Sequence, residues 1–253
     1  MKVQYCSDLH LEFRENHQYL QANPLKPVGD ILLLAGDIFP FQKENRPHPL
    51  LVALCKQYKK VFMLPGNHEY YGGSDVRAHL TPMQEQLLPN LWLVNNTSVV
   101  HRDVVFIFTT LWSRISMRNG YYISQQMNDF RQIRYQGKQL TVGAYNQLFN
   151  HSYSFLDQAI DRYRGQEMVV VTHHLPSGLC NAEEFRGSTL NEAFCVELHD
   201  FVYASGVKYW VYGHSHRNVP PVQINDTTLL TNQLGYVAYG EAASFKSDAV
   251  ITF

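Results

Sequence analysis

The sequence predicts an α/β layered domain, and two observations carry that expectation. Short apolar runs rich in β-branched and aromatic residues alternate with helix-period patterns over much of the 253 residues. Several of those runs stop at Gly, Asp, Asn or His, the pattern of strands feeding polar loops at one end of a sheet. A chain of this length holds one sizeable α/β domain or two small ones. With no internal repeat and no low-complexity linker in it, we expect one domain over 1–253.

The first strand is expected at Lys2–Cys6 and the second at Ile31–Ala35, followed by 61–64. Residues 99–109 predict a hairpin turned at Arg102-Asp103, and later strands are expected at 168–172, 209–212, 228–231 and 249–253. Residues 49–58 place Leu50, Leu51, Leu54, Cys55 and Tyr58 on one helical face, and 190–202 does the same with Leu190, Phe194, Leu198, Phe201 and Val202. Residues 113–164 differ, because no strand pattern stands out there. Thr141 is placed to cap a long helix carrying Tyr145, Leu148, Phe149, Ser152, Phe155, Leu156 and Ile160 on one side, and 127–135 predicts a shorter helix ending near Gly137. This block is expected to be a helical insertion between two core strands.

Composition narrows the function. The chain is 45% apolar and 17% charged with a formal net charge of -1, ordinary values for a globular protein. That balance gives no electrostatic case for nucleic acid as a standing partner, since such proteins carry a basic surplus. The N-terminal residues lack a hydrophobic signal region, and no apolar run approaches the roughly 20 residues of a membrane span. Cys6, Cys55, Cys180 and Cys195 form no Cys-x-x-Cys pair and read as free thiols of a reducing compartment, the cytoplasm. Twelve histidines, several in tight pairs, raise the expectation of metal chemistry.

Five motifs stand at expected strand ends: Ser7-Asp8-Leu9-His10, Gly36-Asp37, Gly66-Asn67-His68-Glu69, Thr172-His173-His174 and Gly213-His214-Ser215-His216. In extended backbone, residues i and i+2 share a face, so Asp8 with His10, and His214 with His216, are spaced to grip cations together. Glycine before Asp37, Asn67 and His214 permits close backbone approach. The donors are nitrogen and oxygen with no thiolate, which suits Mn, Fe, Zn or Ni better than Ca. Two divalent ions against Asp8 and Asp37 leave the site near +2, able to hold an anionic phosphate and a hydroxide bridging the two cations. Each motif alone occurs by chance, as a turn or a satisfied core histidine. The five together, each at a strand end, favour a common site.

In that order the motifs resemble the signature of the calcineurin-like metallophosphoesterase family, over the stretch from Asp8 to His216. The resemblance implies that Asp8, His10, Asp37 and His216 hold one metal, and Asp37, Asn67, His173 and His214 the other, with Asp37 bridging. His68 matches the family's catalytic histidine, which contacts phosphate and protonates the leaving oxygen. The implied fold is a four-layer α-β-β-α sandwich of two mostly mixed sheets flanked by helices, here with the helical insertion over one edge. One departure stands out. Gly36-Asp37 continues as Ile38-Phe39-Pro40, without the second Asp and the Arg of the protein serine/threonine phosphatases, which argues against a phosphoprotein substrate.

The expected function is therefore hydrolysis of a small-molecule phosphomonoester or phosphodiester. A nuclease or cyclic-nucleotide phosphodiesterase of the same fold is the nearer alternative. An inactive binding scaffold is the more distant one, and the full set of ligands with His68 argues against it. Other residues are read conservatively. His174 is expected to be structural, since neighbouring side chains on a strand diverge. Glu69 reads as a capping or loop-orienting residue and Glu12 as an ordinary one. Arg114, Arg118, Arg131 and Arg134 read as a solvated helix face rather than phosphate ligands, Trp112, Tyr121 and Tyr122 as core or rim aromatics. His17, His48, His79, His101, His151 and His199 are expected at the surface.

Overall fold

The computed structural model describes residues 1–41 and 48–253, the side chains of Ala78 and His79 excepted. The chain runs β1 (Lys2–Cys6), α1 (Arg14–Ala22), β2 (Ile31–Ala35), α2 (Pro49–Cys55), β3 (Lys60–Leu64), β4 (Met83–Leu88) and β5 (Leu91–Asn95). It continues through β6 (Thr97–His101), β7 (Val104–Phe108), α3 (Met117–Gln126), α4 (Asp129–Gln132), β8 (Arg134–Tyr135), β9 (Lys138–Gln139) and α5 (Val142–Arg162). The last elements are β10 (Glu167–Val171), α6 (His199–Ser205), β11 (Tyr209–Tyr212), β12 (Val222–Ile224), β13 (Thr227–Thr231) and β14 (Val250–Thr252).

Two six-stranded sheets form, in the orders β14-β1-β2-β3-β5-β4 and β12-β13-β11-β10-β7-β6. Each has a parallel centre and an antiparallel strand at either edge: β1, β2, β3 and β5 run parallel in the first sheet, β13, β11, β10 and β7 in the second. The central parallel strands are apolar on both faces, as buried parallel strands must be, and their alternation stacks the layers. Ile31, Leu33, Phe62, Leu64, Phe106, Phe108, Val169 and Val211 meet between the sheets. Leu32, Leu34, Val61 and Met63 face outward to residues of α1 and α2, while Val105, Ile107, Met168, Val170 and Trp210 face outward to α3–α6. The result is the expected α-β-β-α sandwich of two mixed sheets.

The structure refines the expected elements. The hairpin turned at Arg102-Asp103 is present as β6 and β7. Thr141 caps α5, its side chain accepting a hydrogen bond from the Ala144 amide at 3.2 Å. The helix expected over 190–202 is broken into a 3-10 turn, Thr189–Ala193, and α6. Leu175 donates to the Phe194 carbonyl and accepts from the Val196 amide, so an extended exchange with the loop after β10 takes the groups a helix would use. The helix expected over 127–135 is only α4, and the segment ends in the small β8–β9 ladder turned by Gln136 and Gly137 in left-handed conformation. The four cysteines are free, with Cys6, Cys55 and Cys180 buried. Among the described residues no helix is long and apolar enough to cross a membrane.

Candidate metal centre

The chain leaves the C-terminal ends of five parallel strands directly into the five motifs. β1 leads to Asp8, β2 to Asp37 and β3 to Asn67 in one sheet, and β10 leads to His173 and β11 to His214 in the other. Carboxyl ends of parallel strands are the usual place for a ligand site. The site is thus assembled across the seam of both sheets.

The local backbone is not extended, which corrects the reason expected for the pairing of Asp8 with His10. Asp8, His10, Asp37, His214 and His216 all have positive φ, between 46° and 75°. Non-glycine residues in this region cost about 1–3 kcal/mol each and persist where the surroundings impose them. The surroundings do so here. Asp8 and His10 donate their amides to the Gly36 and Asp37 carbonyls (2.9 and 3.0 Å), and His214 donates its amide to the Asp8 carboxylate (3.1 Å). The glycines supply the expected room. A Cβ on Gly66 would stand 2.2 Å from Asp37 Oδ1, one on Gly213 2.6 Å from Asp8 Oδ2, and one on Gly36 2.3 Å from His173 Nδ1.

These constraints bring the seven expected ligand residues together. Donor atoms of Asp8, His10, Asp37 and His216 lie within 4.8 Å of one another, as do those of Asp37, His173 and His214, so Asp37 belongs to both groups. Asn67 Oδ1 completes the second group, 3.2 Å from His173 Nε2. The remaining ring nitrogens are committed outward: His10 Nδ1 to Glu12 (3.0 Å), His216 Nδ1 to Glu241 (2.8 Å), His173 Nδ1 to the Ala35 carbonyl (2.9 Å) and His214 Nε2 to the Ala193 carbonyl (3.4 Å). Such partners fix ring orientation in metal-binding histidines. They also leave His10 Nε2 and His216 Nε2 facing each other at 3.0 Å. Two lone pairs at that separation repel unless a cation or proton lies between them.

The electrostatics agree. Burial alone would raise the Asp37 carboxyl, yet His173 and His68 hold it well below the usual carboxylate range. Burial would likewise make His173 and His216 less basic, but Asp37 raises His173 to about 10 and Asp8 with Glu241 raises His216 to about 9. The buried carboxylates therefore demand positive charge, and a nitrogen and oxygen donor set of this kind fits two divalent ions.

His68 stands beside this cluster. Its amide donates to Asp37 Oδ1 (2.9 Å), its Nδ1 faces Glu12 Oε1 (3.2 Å), and its Nε2 lies 3.3 Å from the Tyr236 hydroxyl. Its ring stacks on Tyr71 at 4.0 Å. His174 packs its ring on His214 at 4.2 Å and commits its nitrogens elsewhere, to Tyr145 OH (3.1 Å) and the Thr110 carbonyl (3.3 Å), in a buried position.

Sequence reasoning undervalued several residues. Glu12 joins His10 and His68 through one oxygen; the signal was its i+2 spacing from His10. Glu69 is wholly buried and accepts from the amides of Gly66, Asp37 and Ile38 (2.7–3.0 Å), tying the loop after β2 to the loop after β3. Burial and Asp37 raise its carboxyl to about 8. Asp129 at the start of α4, and Tyr236 and Glu241 near the C-terminus, carried no motif at all.

A cavity of about 290 Å³ opens over the cluster, with Tyr71, Asn128, Phe185, Phe194, Arg217 and Tyr236 in its wall. Arg114, Arg118, Arg131 and Arg134 are exposed and do not line it. Trp112 is buried in the core, while Tyr121 and Tyr122 are exposed. His17, His48, His101 and His199 are half-buried and His151 is exposed, so the surface placement is only partly met; the side chain of His79 lies outside the described residues.

Comparison with known proteins bears on the family and on the fold. A family model described as calcineurin-like phosphoesterase matches residues 1–218. A protein of Acanthamoeba polyphaga mimivirus is 31% identical over 258 residues, covering 92% of this chain and 91% of its own. The structure of phosphopantetheinyl hydrolase from Mycobacterium tuberculosis superposes with a TM-score of 0.73 at 17% identity, covering 99% of this chain and 95% of that one. A dimetal phosphatase from Danio rerio aligns with a TM-score of 0.47 at 14% identity, covering 92% and 87%.

Proposed function

Because the chain belongs to the calcineurin-like phosphoesterase family and is a metal-dependent hydrolase of phosphate esters, we propose that Asp8, His10, Asp37 and His216 hold one divalent ion and Asp37, Asn67, His173 and His214 a second. The donor set favours Mn, Fe, Zn or Ni. When bound, the two ions supply Lewis-acid charge for the phosphate oxygens and acidify a water that serves as nucleophile.

The protein's own groups do the rest. His68 Nδ1 donates to Glu12, which directs Nε2 toward the cavity and the Tyr236 hydroxyl. As the P–O bond to the leaving group breaks, its oxygen takes the proton held on His68 Nε2, and the Tyr236 hydroxyl keeps the ring aligned. Tyr71, stacked on the opposite side, limits rotation of the imidazole. Residues 113–164 belong to the same catalytic unit, because Asp129 in that segment holds Asn67 in place.

The substrate is a phosphomonoester or phosphodiester of small size. Among the described residues that line the cavity, Arg217 is the single Lys or Arg, which gives little support to a nuclease reading. The observation that carries the proposal is the convergence of the seven donors around Asp37. Metal-depleted protein reloaded with Mn²⁺, Fe²⁺, Zn²⁺, Ni²⁺ or Co²⁺ tests it on aryl monoesters, aryl diesters and cyclic nucleotides. Uptake of two equivalents with return of hydrolysis is the expected result. Metal uptake unaffected by Asp37→Ala, or no turnover with any ion, overturns it.

A further inference from the structure

Beside the metal cavity lies a second one of about 220 Å³, lined by Asn181, Ser188, Leu190 and Asn191 and sharing Phe185, Phe194 and Ser215 with the first. Phe194 is the common wall, and its ring stacks on His214 at 4.6 Å. The two cavities together reach the roughly 300–1,000 Å³ of small-molecule sites.

The loop that forms this second cavity is fastened from several directions. Asn181 donates to Asn191 Oδ1 (3.0 Å), and Asn191 donates in turn to the Phe185 carbonyl (2.7 Å). Glu192 accepts from the Ser116 amide (2.7 Å) and from Asn119 (2.7 Å) at the start of α3. Arg217 pairs with Glu184 and Glu241 and lies over the Phe185 ring at 5.3 Å. These contacts tie the walls of the cavity to one another and to the start of α3.

Its chemistry selects the occupant. Among the described residues, none of its lining side chains is charged. The Asn181 and Asn191 side-chain amides are each tied into an internal bond, and the rest of the lining is aromatic, aliphatic or hydroxyl. Arg217 is held by two carboxylates, so among the described residues lining the two cavities no spare cation is offered to a second phosphate. On the reading proposed above, we infer that the natural substrate is a phosphodiester whose retained substituent is an uncharged, largely apolar chain, seated between Leu190, Phe185 and Phe194. Water adds to phosphorus, the bond to the other ester oxygen breaks, and the product keeps the chain as a monoalkyl phosphate.

The test uses the metal-loaded enzyme and 4-nitrophenyl alkyl phosphodiesters with methyl, propyl and hexyl chains, all releasing 4-nitrophenolate. Burial is worth up to about fourfold in kcat/KM per methylene, so hexyl is expected to exceed methyl by about tenfold or more. Leu190→Trp, which fills the cavity, and Leu190→Asn, which makes it polar, are expected to bring that ratio below about threefold. The ratio is taken within one preparation, so a partly misfolded variant does not distort it. A hexyl-to-methyl ratio near one in the wild type, or a ratio that survives both variants, overturns the subsite while leaving the hydrolase intact. Loss of turnover on every ester, methyl included, overturns the catalytic reading and the subsite with it.

Discussion

Asp129 Oδ1 accepts a hydrogen bond from Asn67 Nδ2 at 2.8 Å, with the Tyr71 hydroxyl donating to the same oxygen at 2.6 Å. One buried carboxylate therefore decides which end of the Asn67 amide faces His173. Without that acceptor the amide is free to flip and present its NH₂ group to the metal side. Asp129→Ala is expected to lower kcat/KM by about 10–100-fold and to weaken uptake of the second equivalent of metal, as loss of a ligand's supporting partner does. Titration calorimetry with Mn²⁺, alongside kinetics, checks this. Unchanged affinity for both equivalents would contradict it.

His68 touches no other proposed role than proton delivery. His68→Ala should retain two equivalents of metal and lose at least about 100-fold in kcat on an ester with an alkyl leaving group, whose oxygen needs the proton. Elemental analysis with steady-state kinetics on one preparation decides the matter, and a kcat equal to that of the wild type removes His68 from the mechanism.

Tyr236 lies beyond the residues matched by the family, yet its hydroxyl is 3.3 Å from His68 Nε2. Tyr236→Phe keeps the ring against His10 and His216 (4.8 and 4.4 Å) and deletes only the hydroxyl. The loss is expected to be about 2–10-fold for alkyl leaving groups, the value of one hydrogen bond, and near none for 4-nitrophenolate, which departs without a proton. An equal loss on both classes would mean that the hydroxyl serves packing alone.

Both Glu69 oxygens accept backbone amides, so in the ionised carboxylate, the form present above about pH 8, replacing one oxygen by an NH₂ group sets donor against donor. Glu69→Gln should destabilise the fold by about 1–3 kcal/mol, which lowers Tm by about 2–12 °C in a chain of this size. Calorimetric melting of the metal-loaded variant measures it, and a Tm within a degree of wild type would show that the amides find other acceptors.

The parts of this site that were legible in the sequence share one property: they sit where an apolar strand stops. Asp37 follows Leu32-Leu33-Leu34-Ala35-Gly36 and His214 follows Trp210-Val211-Tyr212-Gly213, so position and chemistry were visible together. Asp129 and Tyr236 have no such marker, because they reach the site through tertiary packing from segments far along the chain. The left-handed backbone at Asp8 and His10 was equally hidden, since only contacts with the next loop impose it. In the fold, β5 was missed although Leu91-Trp92-Leu93-Val94 is apolar, and β4 because Met83-Gln84-Glu85-Gln86 at a sheet edge lacks alternation. The helix expected over 190–202 failed for the same reason as the backbone at Asp8, a long-range partner overriding local periodicity.

The five motifs come from strands of two different sheets, with Asp8 and His216 separated by most of the chain and His216 Nε2 only 3.4 Å from Asp8 Oδ1. A nascent or refolding polypeptide can complete the first sheet's three loops and still possess no catalytic centre. Closing so distant a contact carries a loop entropy that nearer contacts do not, so competence is expected late in folding. Ions held as proposed, by Asp8 with His216 and by Asp37 with His173, would clasp the sheets to each other, and their capture would report that the final assembly has taken place.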